Sequence, residues 1–242
     1  AKPENRTIKT LLPFLLPGLI LILLEPNFST VVLTSTIILT IYYLAGGDII
    51  PIFLLSLLAV GIGVILIAIT PYRLARLTRG YHSDQMILTL ASGGLFGKGF
   101  ANSDQKYKYL PKVSTDSILA VVGEEIGFIG ILIIICLFIL LILAIFSISQ
   151  KTSSVFLRLV CQGIAVWIGA QALINISAVA ALIPLTGVTL PLISYGGSSL
   201  TSLLFGLGIV QNVQNQTKLL YSNVHDSVKN HRHHRQSPYA RH

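Results

Sequence analysis

Along the chain, apolar residues gather into long runs at roughly 11–24, 29–45, 49–70, 126–149, 159–183 and 194–213, separated by short polar breaks and one long one. A bilayer core is crossed by about 20 mostly apolar helical residues, so each run predicts a membrane-spanning helix. Glu25-Pro26-Asn27 divides the first two. Proline has no N–H to donate and keeps its predecessor out of the helical region, so the break is real. Residues 11–45 therefore read as two spans joined by a tight turn. A single broken re-entrant element is the alternative. The fifth run carries Gln162, Gln171 and Asn175, and these amides predict a face turned to protein or a cavity and away from lipid.

Composition agrees with this pattern. Of the 242 residues, 53% are hydrophobic and only 11% are charged, against about 25% charged in soluble domains. Such a chain lacks the polar side chains to coat a soluble globule, and it does not fit a disordered, collagenous or disulfide-rich class. Cys136 and Cys161 lie inside apolar runs, where a thiol packs as a small hydrophobe. The fold class predicted is all-α, a polytopic transmembrane bundle. Its domains are 1–213 in the membrane, including a loop at 71–117 between the third and fourth spans, and a basic tail at 214–242 expected to be disordered and cytoplasmic. The first residue is Ala1, and the opening stretch has no cleavable signal pattern. The chain is expected to be processed or to be the back part of something longer.

Six spans put both termini on one side, where ten of the 17 basic residues then fall, against seven between Arg73 and Lys112. The positive-inside rule thus favours cytoplasmic termini. It leaves an extracytoplasmic loop that is unusually basic. An anionic, phosphate-bearing substrate would explain that charge, and so would anionic lipid headgroups. The closing HRHHRQSPYARH has no defined metal-ligand spacing.

Three segments carry candidate chemistry. LTLASGGLFGKGF at 88–100 has four glycines, which suit either a phosphate cradle or tight turns beside a membrane. Asp116 follows Ser114 and Thr115 and precedes an apolar helix. It reads as an N-cap or, if Ser114 or Thr115 caps, as a carboxylate free for other work. Glu124 and Glu125 would stand about 12 Å further along that helix and point about 80° and 180° away, so neither forms a close carboxylate pair with Asp116. They are expected to orient the helix or pair with a basic group. Finally, IPLTGVTLPLISYGGSSL at 183–200 is apolar but interrupted by Pro184, Gly187, Pro191, Gly196 and Gly197. Irregular backbone at membrane depth must be buried in protein or line a cavity. A re-entrant turn and a groove wall both satisfy that rule.

The ordered set SGGLFGKG (92–99), LPKVSTD (110–116), VVGEEIGFIG (121–130) and TGVTLPLISYGGSSL (186–200) resembles the motifs of the SEDS family (shape, elongation, division and sporulation). EPNFST at 25–30, PYRLAR at 71–76 and GYHSDQ at 80–85 are similar to further motifs of that family, and the wording at 189–199 is closer to its FtsW branch than to its RodA branch. Members carry about ten spans of about 20 residues each, so the resemblance implies that about four spans precede the six here. It implies an inverting peptidoglycan glycosyltransferase that polymerises lipid II, the undecaprenyl-diphosphate-linked disaccharide-pentapeptide, on the outer membrane face. It places the family's essential aspartate at Asp116, a general base for the acceptor hydroxyl. Substrate contacts fall on Arg73, Arg76, His82, Gln85, Ser92, Gly93, Gly94, Lys98, Lys112, Asn175, Ser194, Gly196, Gly197 and Ser198. Fixed cations, or a divalent cation as the one candidate cofactor, would stabilise the leaving diphosphate. Implied partners are a class B penicillin-binding transpeptidase and other division-complex membrane proteins, with no nucleic acid. The expected location is a bacterial plasma membrane or the inner envelope of a peptidoglycan-walled plastid. Departures from the family wording include Lys112 and Ser114 in place of Glu and His, and Ser177 and Ala181 in place of glycines. A non-catalytic division or elongation scaffold and a lipid II flippase are the competing functions.

Overall fold

The computed structural model describes residues 17, 18, 20–22, 28–54, 56, 57, 61, 81–99, 115–184 and 186–235, with backbone alone at 28, 81–83 and 220–235. Five helices follow in order: α1 (Phe28–Leu44), α2 (Tyr81–Ser92), α3 (Ile118–Lys151), α4 (Val155–Val179) and α5 (Gly197–Arg235). No strand occurs among the described residues. The second, fourth, fifth and sixth predicted spans find helices here. Most of the first and third spans lies outside the described residues, as does the break at Glu25-Pro26-Asn27.

α1 is rich in Ser, Thr and β-branched residues that favour helix weakly in water. Its hydroxyls are absorbed by the helix itself, Thr36 Oγ1 donating to Val32 O (2.8 Å) and Thr40 Oγ1 to Thr36 O (2.7 Å). Gly46, at φ 86°, ends it, with Gly47 N–H returning to Tyr42 O.

α3 and α4 are the two helices among the described residues long and apolar enough to cross a bilayer. They differ in what surrounds them. α3 is apolar on all sides, burying Phe138, Ile145 and Ser149 while Leu132, Ile133, Leu137, Leu140 and Leu143 are exposed. In a bilayer that exposed face meets acyl chains. α4 touches each of the other four helices. It buries Cys161, Ala165, Ile168 and Ala172, with Gln171 and Asn175 inside the same contact surface. Of the three amides in the fifth apolar run, Gln171 and Asn175 therefore face protein, while Gln162 is half-buried. The core continues to Met86 on α2, Leu190 in the connection before α5, and Leu203, Val210 and Val213 on α5.

The caps follow from local sequence. Ser154 opens α4, its hydroxyl accepting from Leu157 N. Ala181 closes it at φ 53°, and Leu182 N–H reaches back to Ser177 O at 2.9 Å. That left-handed position is one where glycine is the easier residue. Two boundaries differ from the sequence expectation. α3 starts at 118, not 126, and α5 runs on to Arg235 where a disordered tail was expected from 214. Between Gly208 and Pro238 no glycine or proline interrupts the chain, so a helix already nucleated in the bundle propagates at little cost.

Candidate functional site

α3 is two helices in one. Gly127 sits at φ 78° and ψ −174°, outside helical geometry, so a short segment from Ile118 meets a span of roughly 24 residues, about 36 Å at 1.5 Å per residue. The glycine-rich loop after α2 fills the kink. Lys98 N–H donates to Glu124 O (2.9 Å) and Gly99 N–H to Glu125 O (3.0 Å), while Phe128 N–H donates back to Gly94 O (3.0 Å) and Ile129 N–H to Leu95 O (3.3 Å). These bonds satisfy groups that the broken helix would otherwise leave orphaned. Gly93 and Gly97 pass so close to the α3 backbone that an added Cβ would collide with Gly123 O and Glu125 O respectively.

The loop's amides are thus spent on protein. Gly93 and Gly94 N–H cap α2 through Leu90 O and Ala91 O, and Gly97 N–H returns to Gly93 O. These bonds pack the loop against α3 and the end of α2. Lys98 Nζ lies 2.7 Å from Glu124 Oε1, which also accepts from Ser92 Oγ at 3.1 Å. Glu124 is fully buried, and a buried carboxylate requires such partners. Ser92 and Lys98 therefore gather with Glu124, on a helix turn distinct from Asp116.

Asp116 occupies the turn 115–117 just before α3. The N-cap is Ser117, and it makes no side-chain cap hydrogen bond. Asp116 is therefore not the cap, and its half-exposed carboxylate lies against the 186–196 connection: a Cβ built on Gly187 would stand 3.7 Å from Asp116 Oδ2. Gly187 itself is at φ 70°.

That connection is held from α4. Gln171 Nε2 donates to Thr189 O (2.9 Å) and to Thr189 Oγ1 (3.2 Å). Asn175 Nδ2 donates to Val188 O (2.7 Å) and to Asp116 O (3.2 Å). Ser194 Oγ accepts from Leu190 N–H (2.8 Å) and donates to Thr115 O (2.6 Å). Leu192 is left at φ 63° between them, a strained backbone of the kind found where surrounding structure over-determines a loop. Asn175 Oδ1 and Thr186 Oγ1 are buried acceptors with no hydrogen-bond partner in the structure.

Of the sequence candidates, Asp116, Asn175 and Ser194 come together, and Ser92, Gly93, Gly94 and Lys98 form the separate cluster at the kink. Gln85 is half-buried on α2, while Ser198 and Gly197 are exposed at the start of α5 beside Gly196. Arg73, Arg76 and Lys112 lie outside the described residues, and His82 is described in backbone alone. Gly187, Thr189 and Gln171 were not among the candidates. The glycine was visible as an interruption in an apolar run, but Thr189 carried no signal, because its carbonyl and hydroxyl matter only once Gln171 is placed beside them. No three His, Cys, Asp or Glu side chains gather into a metal-binding group among the described residues, and the site is described through its own side chains.

The arrangement can present one half-exposed carboxylate, beside the 186–196 connection, to a hydroxyl-bearing ligand. The FtsW/RodA/SpoVE family, described as cell cycle protein, matches residues 1–219. A probable peptidoglycan glycosyltransferase FtsW from Coxiella burnetii is 38% identical over 222 residues, covering 85% of this chain and 60% of that protein. The protein of the same name from Thiomicrospira cyclica is 34% identical, covering 90% and 59%. Among solved structures, a chain from a peptidoglycan synthase complex superposes with TM-score 0.70 at 25% identity, over 90% of this chain and 65% of that one. The rod shape determining protein RodA of Thermus thermophilus superposes with TM-score 0.60 at 28% identity, over 89% and 59%. The chain spans about 60% of the length of these curated relatives. With a match over nearly its whole length, this chain belongs to the FtsW/RodA/SpoVE family.

Proposed function

We propose that the intact protein is a peptidoglycan glycosyltransferase that polymerises lipid II on the outer face of a bacterial plasma membrane, with Asp116 as general base. The observation that carries the reading is the state of that carboxylate. It stands beside a helix start without capping it, no hydrogen bond or ion pair engages it among the described residues, and it faces a glycine that leaves room in front of it.

In the proposed reaction the carboxylate takes the proton of an acceptor sugar hydroxyl. The hydroxyl oxygen attacks the anomeric carbon of the donor as the bond from that carbon to the lipid diphosphate breaks, and the diphosphate leaves with the bonding pair. Attack on the face opposite the leaving group inverts the anomeric centre. A positioned base contributes about 10²–10⁴-fold to such a step. The developing diphosphate charge needs cations nearby. Arg73, Arg76 and Lys112 are proposed for it, since Lys98 already has Glu124 as a partner. A class B penicillin-binding transpeptidase is the proposed partner, a reading supported by the synthase-complex chain to which this one is similar.

The test is polymer formation from lipid II by the intact protein in liposomes. Asp116→Ala should lose at least about 100-fold of the polymer yield with an unchanged unfolding midpoint. Normal yield would overturn the reading and leave a scaffold, and lipid II translocation without polymer would leave a flippase.

A further inference from the structure

Residue 116 has two soft backbone dihedrals, and the direction of its side chain is set by the two peptide planes that flank it. The carbonyl of Thr115 belongs to the first plane and the carbonyl of Asp116 to the second. Each is held by a side chain from a distant part of the sequence. Ser194 Oγ donates to Thr115 O at 2.6 Å, and Asn175 Nδ2 donates to Asp116 O at 3.2 Å. Both donors are nearly inaccessible, with Asn175 at 1% and Ser194 at 7% exposure.

Both are also fixed at their other ends. Asn175 ties to Val188 O and Ser194 to Leu190 N–H, and the connection they share is bound again to α4 through Gln171 and Thr189. Fixing both planes fixes φ and ψ of Asp116 together, and with them the line along which the carboxylate leaves the backbone. No atom of the carboxylate is used in doing so.

We infer that Asn175 and Ser194 are positioning residues for Asp116 and not contacts for the substrate. The inference rests on the proposed role of Asp116 as base, and it replaces a substrate contact by a backbone clamp. Its consequence is kinetic. A misplaced base slows the chemical step and leaves substrate affinity intact, and about an ångström of misplacement costs up to about 100-fold.

The experiment compares lipid II polymerisation by the intact protein in liposomes for wild type, Asn175→Leu, Ser194→Ala, Ser194→Thr, Asp116→Asn and the pair Asp116→Asn with Ser194→Ala. The expected result is a kcat lower by about 10–100-fold in Asn175→Leu and Ser194→Ala with KM within about twofold. Ser194→Thr, which keeps the hydroxyl, should recover most of the lost turnover. The pair should be no slower than Asp116→Asn alone, because residues acting through one group are not additive. A raised KM at unchanged kcat would make these residues substrate contacts and overturn the clamp, as would wild-type kinetics in Ser194→Ala. Ser194→Ala removes a single oxygen and decides the matter if Asn175→Leu does not reach the membrane folded. Wild-type turnover in Asp116→Asn alone would instead overturn the base, a failure read from a different variant.

Discussion

Asp116, in the turn before α3, and Glu124, on its first short segment, have opposite fates. Glu124 has given up all solvent and is neutralised by Lys98 and Ser92, while Asp116 keeps part of its exposure and has only its backbone tied down. The difference explains which substitution harms what. Lys98→Ala should destabilise the protein by about 2 kcal/mol, below the ~3–5 kcal/mol of breaking a fully buried pair, because Ser92 still donates and the Lys98 side chain is 36% exposed. Thermal unfolding in detergent measures this, and Lys98→Ala with Glu124→Gln should recover part of the loss. An unfolding midpoint unmoved by Lys98→Ala would show that the pair contributes nothing. At this scale the sequence was legible in residue type and not in partner. Two acidic residues beyond Asp116 and a lysine in a glycine loop were plain to see. That Glu124 and Lys98 meet depends on the chain folding back across 26 positions, which no local pattern records. Asn175 was picked out as a polar residue in an apolar run, and Ser194 only through the family resemblance. Their bonds go to backbone carbonyls, and every residue carries a carbonyl, so the sequence contains no mark of which one is chosen.

Among the elements, α3 shows how hydropathy reads a helix and misses its joint. The apolar run at 126–149 located the span, and the structure's kink at Gly127 falls at its edge. The polar turn that precedes it, Gly123-Glu124-Glu125, breaks the apolar pattern and hides a helical segment that is buried by packing against α2 and the glycine loop. The kink depends on Gly127 itself. An alanine there would carry a φ that costs about 1–2 kcal/mol, and its Cβ would run into Gly97 N and Leu95 O, both backbone atoms that cannot rotate away. Gly127→Ala should therefore cost about 2–3 kcal/mol and lower the unfolding midpoint by about 4–10 °C. An unchanged midpoint would mean that the loop and helix part easily. α5 is the reverse case. Its polar second half was read as a tail because hydropathy falls after residue 213, yet falling hydropathy ends a membrane span and not a helix.

For the whole molecule, the turn 151–154 and the Asp116 site occupy opposite ends of α3 and α4. If ten of the basic residues mark the cytoplasmic side, the Asp116 site lies on the outer side. In protein with Cys136 and Cys161 replaced by alanine, Tyr195→Cys should be labelled in spheroplasts by a membrane-impermeant thiol reagent, since Tyr195 is 78% exposed. Ser153→Cys, exposed at the other end, should react only after permeabilisation. The opposite pattern would put Asp116 on the cytoplasmic side, the wrong side for the proposed polymerisation. The exposed apolar face of α3 and the helices around α4 form a scaffold, and the account assigns the chemistry to one carboxylate at its outer end. The measurement closest to that claim separates binding from turnover in Asp116→Asn, which keeps the shape of the side chain and removes its basicity. Lipid II should bind the intact variant with a Kd within about threefold of wild type, while polymer formation falls by at least about 100-fold. Undiminished polymer from Asp116→Asn would contradict the account.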